Sequence, residues 1–241
     1  MIMARFHAVT CFFNPCGFKS LLRNYFAFSS ELRRQGVPLL TVECAFGDGD
    51  YQIPESEVRV RSQSIMWQKE RLLNHAMNFL PDDCDYVAFL DCDVLFSHDD
   101  WHEKTVDVLQ GCDVAQTFQR VGHLAKGEVR WDGNVVEDRH PGVAFQATTN
   151  QNWLWKRRRR ELPWAHPGFG WAFRREFLHD LGLYERSICG GGDTIFVNCI
   201  LDCFYIHDFA KKHNQKLIAD VMKYCKKLRE KKPVLGYVPV E

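Results

Sequence analysis

The first half of the chain switches between two hydrophobic periods. Phe6–Phe13 is a short, largely apolar run followed by Asn14-Pro15-Cys16-Gly17, which predicts a buried strand and a turn. From Ser20 to Arg34 the spacing becomes helical, with Leu21, Leu22, Tyr25, Phe26, Phe28 and Leu32 on one broad face. Gly36 and Pro38 mark its end. Val37–Cys44 reads as a second strand, Gly47–Asp50 as a loop, and Glu57–Arg61 alternates as a short strand would. Trp67–Phe79 has helical spacing again, with Leu72, Leu73, Ala76, Met77 and Leu80 inward. Tyr86–Leu90, opened by the polar cluster 81–85, is a further core strand. Strand–helix alternation of this kind predicts an α/β domain with a mostly parallel sheet flanked by helices. Ligands of such sheets bind at the carboxyl ends of the strands. Phe13-Asn14, Glu43-Cys44 and Asp91-Cys92-Asp93 all fall there and predict one shared rim.

The second half is less periodic. Trp101–Leu109 reads as helix and Asp113–Gln119 as strand. Residues 120–141 carry no clear period and predict a long functional loop or a hairpin. Arg175–Leu181 is a short helix stopped by Gly182. Gly190-Gly191-Gly192-Asp193 opens a helix over Thr194–Cys203, His207–Glu230 is a basic helical stretch, and Pro233–Glu241 reads as extended.

Composition narrows the class. At 241 residues, with 46% hydrophobic and 26% charged positions, the chain suits one soluble globular domain. Thirty-one basic side chains balance 31 acidic ones, which argues against bulk nucleic-acid binding. No secretion signal and no run long enough to cross a bilayer is visible. The ten cysteines are scattered, several inside apolar runs, and no Cys-x-x-Cys pair occurs. They read as reduced thiols in a cytoplasmic protein.

Asp91 and Asp93 leave the end of a core strand together. Two carboxylates brought that close need a positive partner. A divalent cation with oxygen ligands, Mn2+ or Mg2+, shared with a diphosphate, meets that need. Asp-x-Asp alone is weak, since such carboxylates also cap helices or face water.

Three segments together resemble nucleotide-sugar glycosyltransferases of the GT-A fold, the galactosyltransferase-like and N-acetylgalactosaminyltransferase-like families in particular. They are Phe89–Phe96, Trp67–Asn74, and 167–196 with its Gly168-Phe169-Gly170-Trp171 and Gly190–Asp193 runs. The resemblance spans most of residues 6–206 and implies a metal-dependent hexosyl transfer from a UDP-sugar. It implies that Asp93 is a direct metal ligand and that Asp91 reaches the ribose or a metal-bound water. Phe13 and Asn14 would receive the base, and Glu43 the base or ribose. Lys69 would face a phosphate and Asn74 the nucleoside. His166, Gly170, Trp171 and Gly192 would line the acceptor side, with Asp193 as the general base of an inverting reaction. Residues 1–119 would form the donor half and 120–206 the acceptor half, with 207–241 a basic extension.

Each role has a plainer competitor. Glu43 and Lys69 could be solvated, Asp193 could cap its helix, Trp164 and Trp171 could be core, and His166 a packed turn residue. The families place a histidine metal ligand after the Gly-rich turn. Here His207 or His213 would take that role, or the metal would have fewer protein ligands, or a longer native chain would supply the histidine. The run Lys156–Arg160 reads as a solvated face or as a phosphate clamp. The acceptor stays open among a glycan, a lipid-linked sugar, a protein side chain and a hydroxymethylated DNA base. The competing functions are a nucleotidyltransferase, for which 14–19 is a poor phosphate loop, and a non-catalytic carbohydrate- or nucleic-acid-binding module.

Overall fold

The structure is a computed structural model and describes residues 5–130, 140–158, 164–203 and 214–240. The first half follows its periodicity closely. The strands β1 (Phe6–Phe13), β2 (Leu39–Phe46), β3 (Val58–Ser62) and β4 (Tyr86–Leu90) alternate with helices α1 (Lys19–Arg34) and α2 (Lys69–Ala76). α2 ends in a 3-10 turn, Met77–Phe79. α3 (Trp101–Gly111), β5 (Val114–Gln116), α4 (Val143–Thr149), α5 (Gln151–Arg158), β8 (Gly170–Arg174), α6 (Arg175–His179), α7 (Gly192–Ile200), α8 (Gln215–Glu230) and β9 (Leu235–Tyr237) follow. Two short strands, β6 (Arg120–Val121) and β7 (His140–Pro141), pair antiparallel, so the ends of the aperiodic stretch form a hairpin base.

Among the described residues one sheet has seven strands in the order β3-β2-β1-β4-β8-β5-β9. β1 pairs in parallel with β2 and β4, β2 with β3, and β5 with β9. β8 runs antiparallel to both its neighbours, β4 and β5. The expected α/β architecture, a mostly parallel sheet flanked by helices, is therefore the one observed. The sheet is buried on both faces, as such sheets require. α1 and α3 cover one face through Tyr25, Phe28, Leu32, Trp101 and Leu109. α2, α7 and α8 cover the other through Leu72, Leu73, Phe196, Val221 and Leu228.

Two expectations are corrected. β2 continues to Phe46, so Glu43 lies inside the strand rather than at its end. The side chain shares the α1 face with Thr41, which bonds the Tyr25 hydroxyl there. The cysteines are not all reduced: Cys199 of α7 and Cys225 of α8 form a disulfide, with Cα atoms 4.7 Å apart, while the other eight form no disulfide. Helix packing brings this pair together across 26 residues of sequence. A reducing compartment rarely keeps such a bond. No helix among the described residues is long and apolar enough to cross a membrane.

Candidate active site

The carboxyl rim of the sheet collects four charged side chains, Lys69, Asp91, Asp93 and Asp193, from three segments. Asp91 is the first residue after β4, and its N–H donates to the Phe169 carbonyl at 2.9 Å. Lys69 begins α2 and Asp193 lies in the first turn of α7. The Lys69 ammonium sits between the two acids, 2.5 Å from Asp91 Oδ1 and 3.1 Å from Asp193 Oδ2. Its side chain is only 13% exposed, so the ion pairs are shielded from water. Burial works against the Lys69 charge, but the two carboxylates outweigh it and hold the ammonium above its ordinary pKa. Lys69 is thus neither a solvated helix residue nor a free cation.

The acids respond differently. Burial raises the Asp193 carboxyl; Lys69 opposes the rise and the Asp91 charge adds to it. Asp93 lines a cavity of about 390 Å³ together with Phe96, Phe118, His123, Phe169 and Arg23 of α1. There the surrounding protein walls and then the Asp91 charge push its carboxyl up, with Lys69 and His123 pulling it down. A second cleft of about 20 Å³ is lined by Lys69, Glu70, Phe169, Trp171 and Asp193. Phe169 lines both and holds a left-handed backbone, φ 71°. A non-glycine residue there is uncommon, and such strain collects at functional sites.

The acceptor-side residues separate. Trp171 is 4% exposed, its indole N–H donates to the Pro167 carbonyl at 2.8 Å, and it packs edge-on against Phe196, so it belongs to the core. Trp164 is 56% exposed and not core. It meets His166 edge-on at 5.4 Å between centroids, and His166 stacks on Phe169 at 4.1 Å and 5°. Burial pushes the His166 pKa down to about 4, with the nearby His123 acting the same way and Asp91 opposing. The ring is therefore neutral at physiological pH. Its Nδ1 accepts the Gly168 N–H at 3.2 Å, which assigns the proton to Nε2. Gly170 opens β8 tightly against Thr117 and Leu90.

The nucleoside-side residues are engaged elsewhere. Asn14 is buried. Its Oδ1 accepts the Phe18 N–H at 2.9 Å, and its Nδ2 donates to the Phe18 carbonyl and to Gln52 Oε1, both at 3.1 Å. Glu43 is 2% exposed and accepts from the N–H groups of Gln52 and Ile53 and from the Ser56 hydroxyl, pinning the loop after β2. It is not a solvated carboxylate. Asn74 ties α2 to the 182–185 loop through the Leu183 N–H and carbonyl and Glu185. Phe13 stays at the rim, edge-on to Trp67 at 5.2 Å. In the basic run, Arg157 donates to Asn198 at 3.1 Å and lies over Trp153; Arg159 and Arg160 lie outside the described residues. So do His207 and His213.

Sequence reasoning missed Glu70. It is 5% exposed and packs against Gly192. Burial pushes its carboxyl up to about 6, which its own backbone N–H and Lys69 oppose. The signal was available: Glu70 lies on the same helical arc as Leu72, Leu73 and Ala76, where a charge is out of place.

The donor set fits a divalent ion in a limited way. Among the described residues no three His, Cys, Asp or Glu side chains converge into a cage. Magnesium-type sites commonly use one or two carboxylates and complete the shell with phosphate oxygens and water. Asp93, with the raised carboxyl that no lysine contacts, and Asp91 through the oxygen Lys69 does not hold, suit that smaller role.

No known protein-family profile and no curated protein matches the chain. Solved structures are similar to it in fold. The catalytic domain of Drosophila β1,4-galactosyltransferase 7, in complex with xylobiose, is 16% identical with a TM-score of 0.45. That likeness covers 83% of this chain and 62% of the other. Glucosyl-3-phosphoglycerate synthase from Mycobacterium tuberculosis, in complex with UDP, is 13% identical with a TM-score of 0.45, covering 99% and 72%. The 4-diphosphocytidyl-2C-methyl-D-erythritol synthase of Anaerococcus prevotii is 10% identical with a TM-score of 0.40, covering 98% and 87%. The chain thus spans less than two thirds of the galactosyltransferase domain. These likenesses concern architecture, and the chemistry rests on the residues above.

Proposed function

We propose that this chain is a glycosyltransferase of the hexosyl type. It moves a sugar from a nucleoside diphosphate, UDP in the first instance, to a hydroxyl acceptor with inversion. The observation that carries the reading is the Lys69 ammonium between Asp91 and Asp193 at the strand rim, beside the cavity onto which Asp93 opens. Glycosyl transfer must neutralise a departing diphosphate on one side and remove a proton from the acceptor on the other. The rim carries groups of both kinds within one cluster.

On the donor side Lys69 supplies a shielded cation for the diphosphate. A Mn2+ or Mg2+ ion held by Asp93 and Asp91 would act as a Lewis acid on the same leaving group. On the acceptor side Asp193 is the general base. Its raised carboxyl binds a proton more tightly than a solvated one and so draws the acceptor proton more effectively. The exposed Trp164 and the half-buried His166 and Phe169 form an aromatic row for the apolar C–H faces of a sugar ring. Residues 1–119 act as the donor half and 120–206 as the acceptor half.

Incubation with a panel of UDP-sugars and Mn2+ tests the reading. UDP release, with an inverted anomeric configuration in the product by NMR, is the expected outcome. No UDP release from any donor would remove the activity, and a retained configuration would remove Asp193 from the role of base.

A further inference from the structure

The glycine run before Asp193 contains two kinds of glycine. Gly190 and Gly191 hold left-handed backbones, φ 85° and 84°, which glycine adopts without strain. Gly192 does not, so its backbone would accept alanine. A Cβ built there would lie 2.1 Å from Glu70 Oε1, 2.4 Å from Cδ and 2.8 Å from Cγ. Gly192 is a glycine because Glu70 occupies its side-chain space.

The Glu70 carboxylate lies against the start of α7, whose N-cap, Gly191, brings no side chain to the exposed backbone N–H groups. A negative charge under a helix N-terminus is favourable there. Trp67, three residues before Glu70, is 41% exposed and packs on Phe13 at the rim. Trp67 is also bound through its N–H to the Ile188 carbonyl at 3.1 Å, in the segment leading into the glycine run. The start of α2 therefore joins the rim at Phe13 to the first turn of α7, which carries Asp193, through the Trp67 bond to Ile188 and the packing of Glu70 on Gly192.

We infer that Glu70 is a positioning residue: it seats the first turn of α7, and with it Asp193, and ties that turn to occupancy of the rim beside Trp67. This rests on the glycosyltransferase reading for the identity of the occupant, a nucleoside diphosphate. It does not rest on it for the packing of Glu70 on Gly192.

Two measurements on the full chain test it. The first is a urea-unfolding cycle of Gly192→Ala, Glu70→Ala and the double variant. Gly192→Ala should lower the midpoint in the native background and leave it unchanged in the Glu70→Ala background, where the clashing atoms are gone. An equal loss in both backgrounds overturns the packing. The second is hydrogen exchange of residues 188–196 with and without UDP and Mn2+. Binding should slow exchange in the native chain. Glu70→Ala should abolish that protection while UDP affinity stays within about threefold, and Glu70→Gln, which keeps shape and acceptor, should restore it. Protection that persists in Glu70→Ala, or is absent from a native chain that binds UDP, overturns the coupling. A native chain that fails to bind UDP would instead overturn the functional reading, and the urea cycle would still decide the packing.

Discussion

Two stretches of the same rim look alike in sequence and differ in what their polar groups do. At one end Asn14, Glu43 and Asn74 satisfy their hydrogen bonds within the protein, on the turn after β1, the loop after β2 and the 182–185 loop. At the other end Asp91, Lys69 and Asp193 share one buried ammonium, and Asp93 keeps a carboxyl raised by its surroundings. Of Asn14, Glu43 and Asn74 only Asn14 directly follows a strand, and its amide is already spent on Phe18 and Gln52, so position at a strand end does not by itself leave a group for a ligand. The difference lies in charge left for a ligand to meet, and in the strained Phe169 beside it.

The contrast breaks most visibly at Asp193. Asp193→Asn should lower the rate of UDP-sugar turnover by about 10²- to 10⁴-fold, the span of a lost general base. The melting temperature should not fall, because burial already disfavours the Asp193 charge. Single-turnover kinetics and a thermal melt check both halves. Glu43→Ala should do the reverse. It strands the N–H groups of Gln52 and Ile53, while the Ser56 hydroxyl keeps the Ile53 carbonyl, at a cost of about 3 kcal/mol in urea unfolding. UDP affinity, measured where the variant is folded, should stay within about twofold; a large loss would return Glu43 to the nucleoside. Asn74→Ala should cost about 1–2 kcal/mol for the lost ties to Leu183, again with UDP affinity kept.

The smallest effect is in pH. His166 is held near 4, below its ordinary 6.5, so between those values the unfolded chain binds more protons. Its contribution to stability is present above pH 6.5 and is lost as pH falls toward 4. Glu70 is raised to about 6 from 4.5, so its folded form holds the proton longer, and stability is lost as pH rises through 6. The two oppose each other between pH 4.5 and 6. Glu70→Gln should remove the second contribution and leave stability rising with pH across that window, as urea midpoints taken at several pH values would show.

Much of this was legible from periodicity. The runs 6–13, 20–34, 67–79 and 86–90 announced their elements because each buries a full face against the sheet. The Asp pair and Asp193 were legible as residue types at a strand end and after a glycine run. β8 was harder: Gly170–Arg174 is five residues long, and only its pairing with β4 and β5, distant in sequence, makes it a strand. The Cys199–Cys225 bond depends on how two helices dock. The internal partners of Glu43 and Asn74 depend on loop paths that leave no period. Glu70 carried a signal, a charge on an apolar arc, but its partner Gly192 lies more than a hundred residues away.

The direct test of the central claim is calorimetric titration of UDP into the native chain and Asp93→Asn, each with and without Mn2+. The account predicts binding that depends on Mn2+ in the native chain and a loss of that dependence in Asp93→Asn, with unchanged melting curves. UDP that binds the native chain equally well without Mn2+, or binds Asp93→Asn with full Mn2+ dependence, would contradict it.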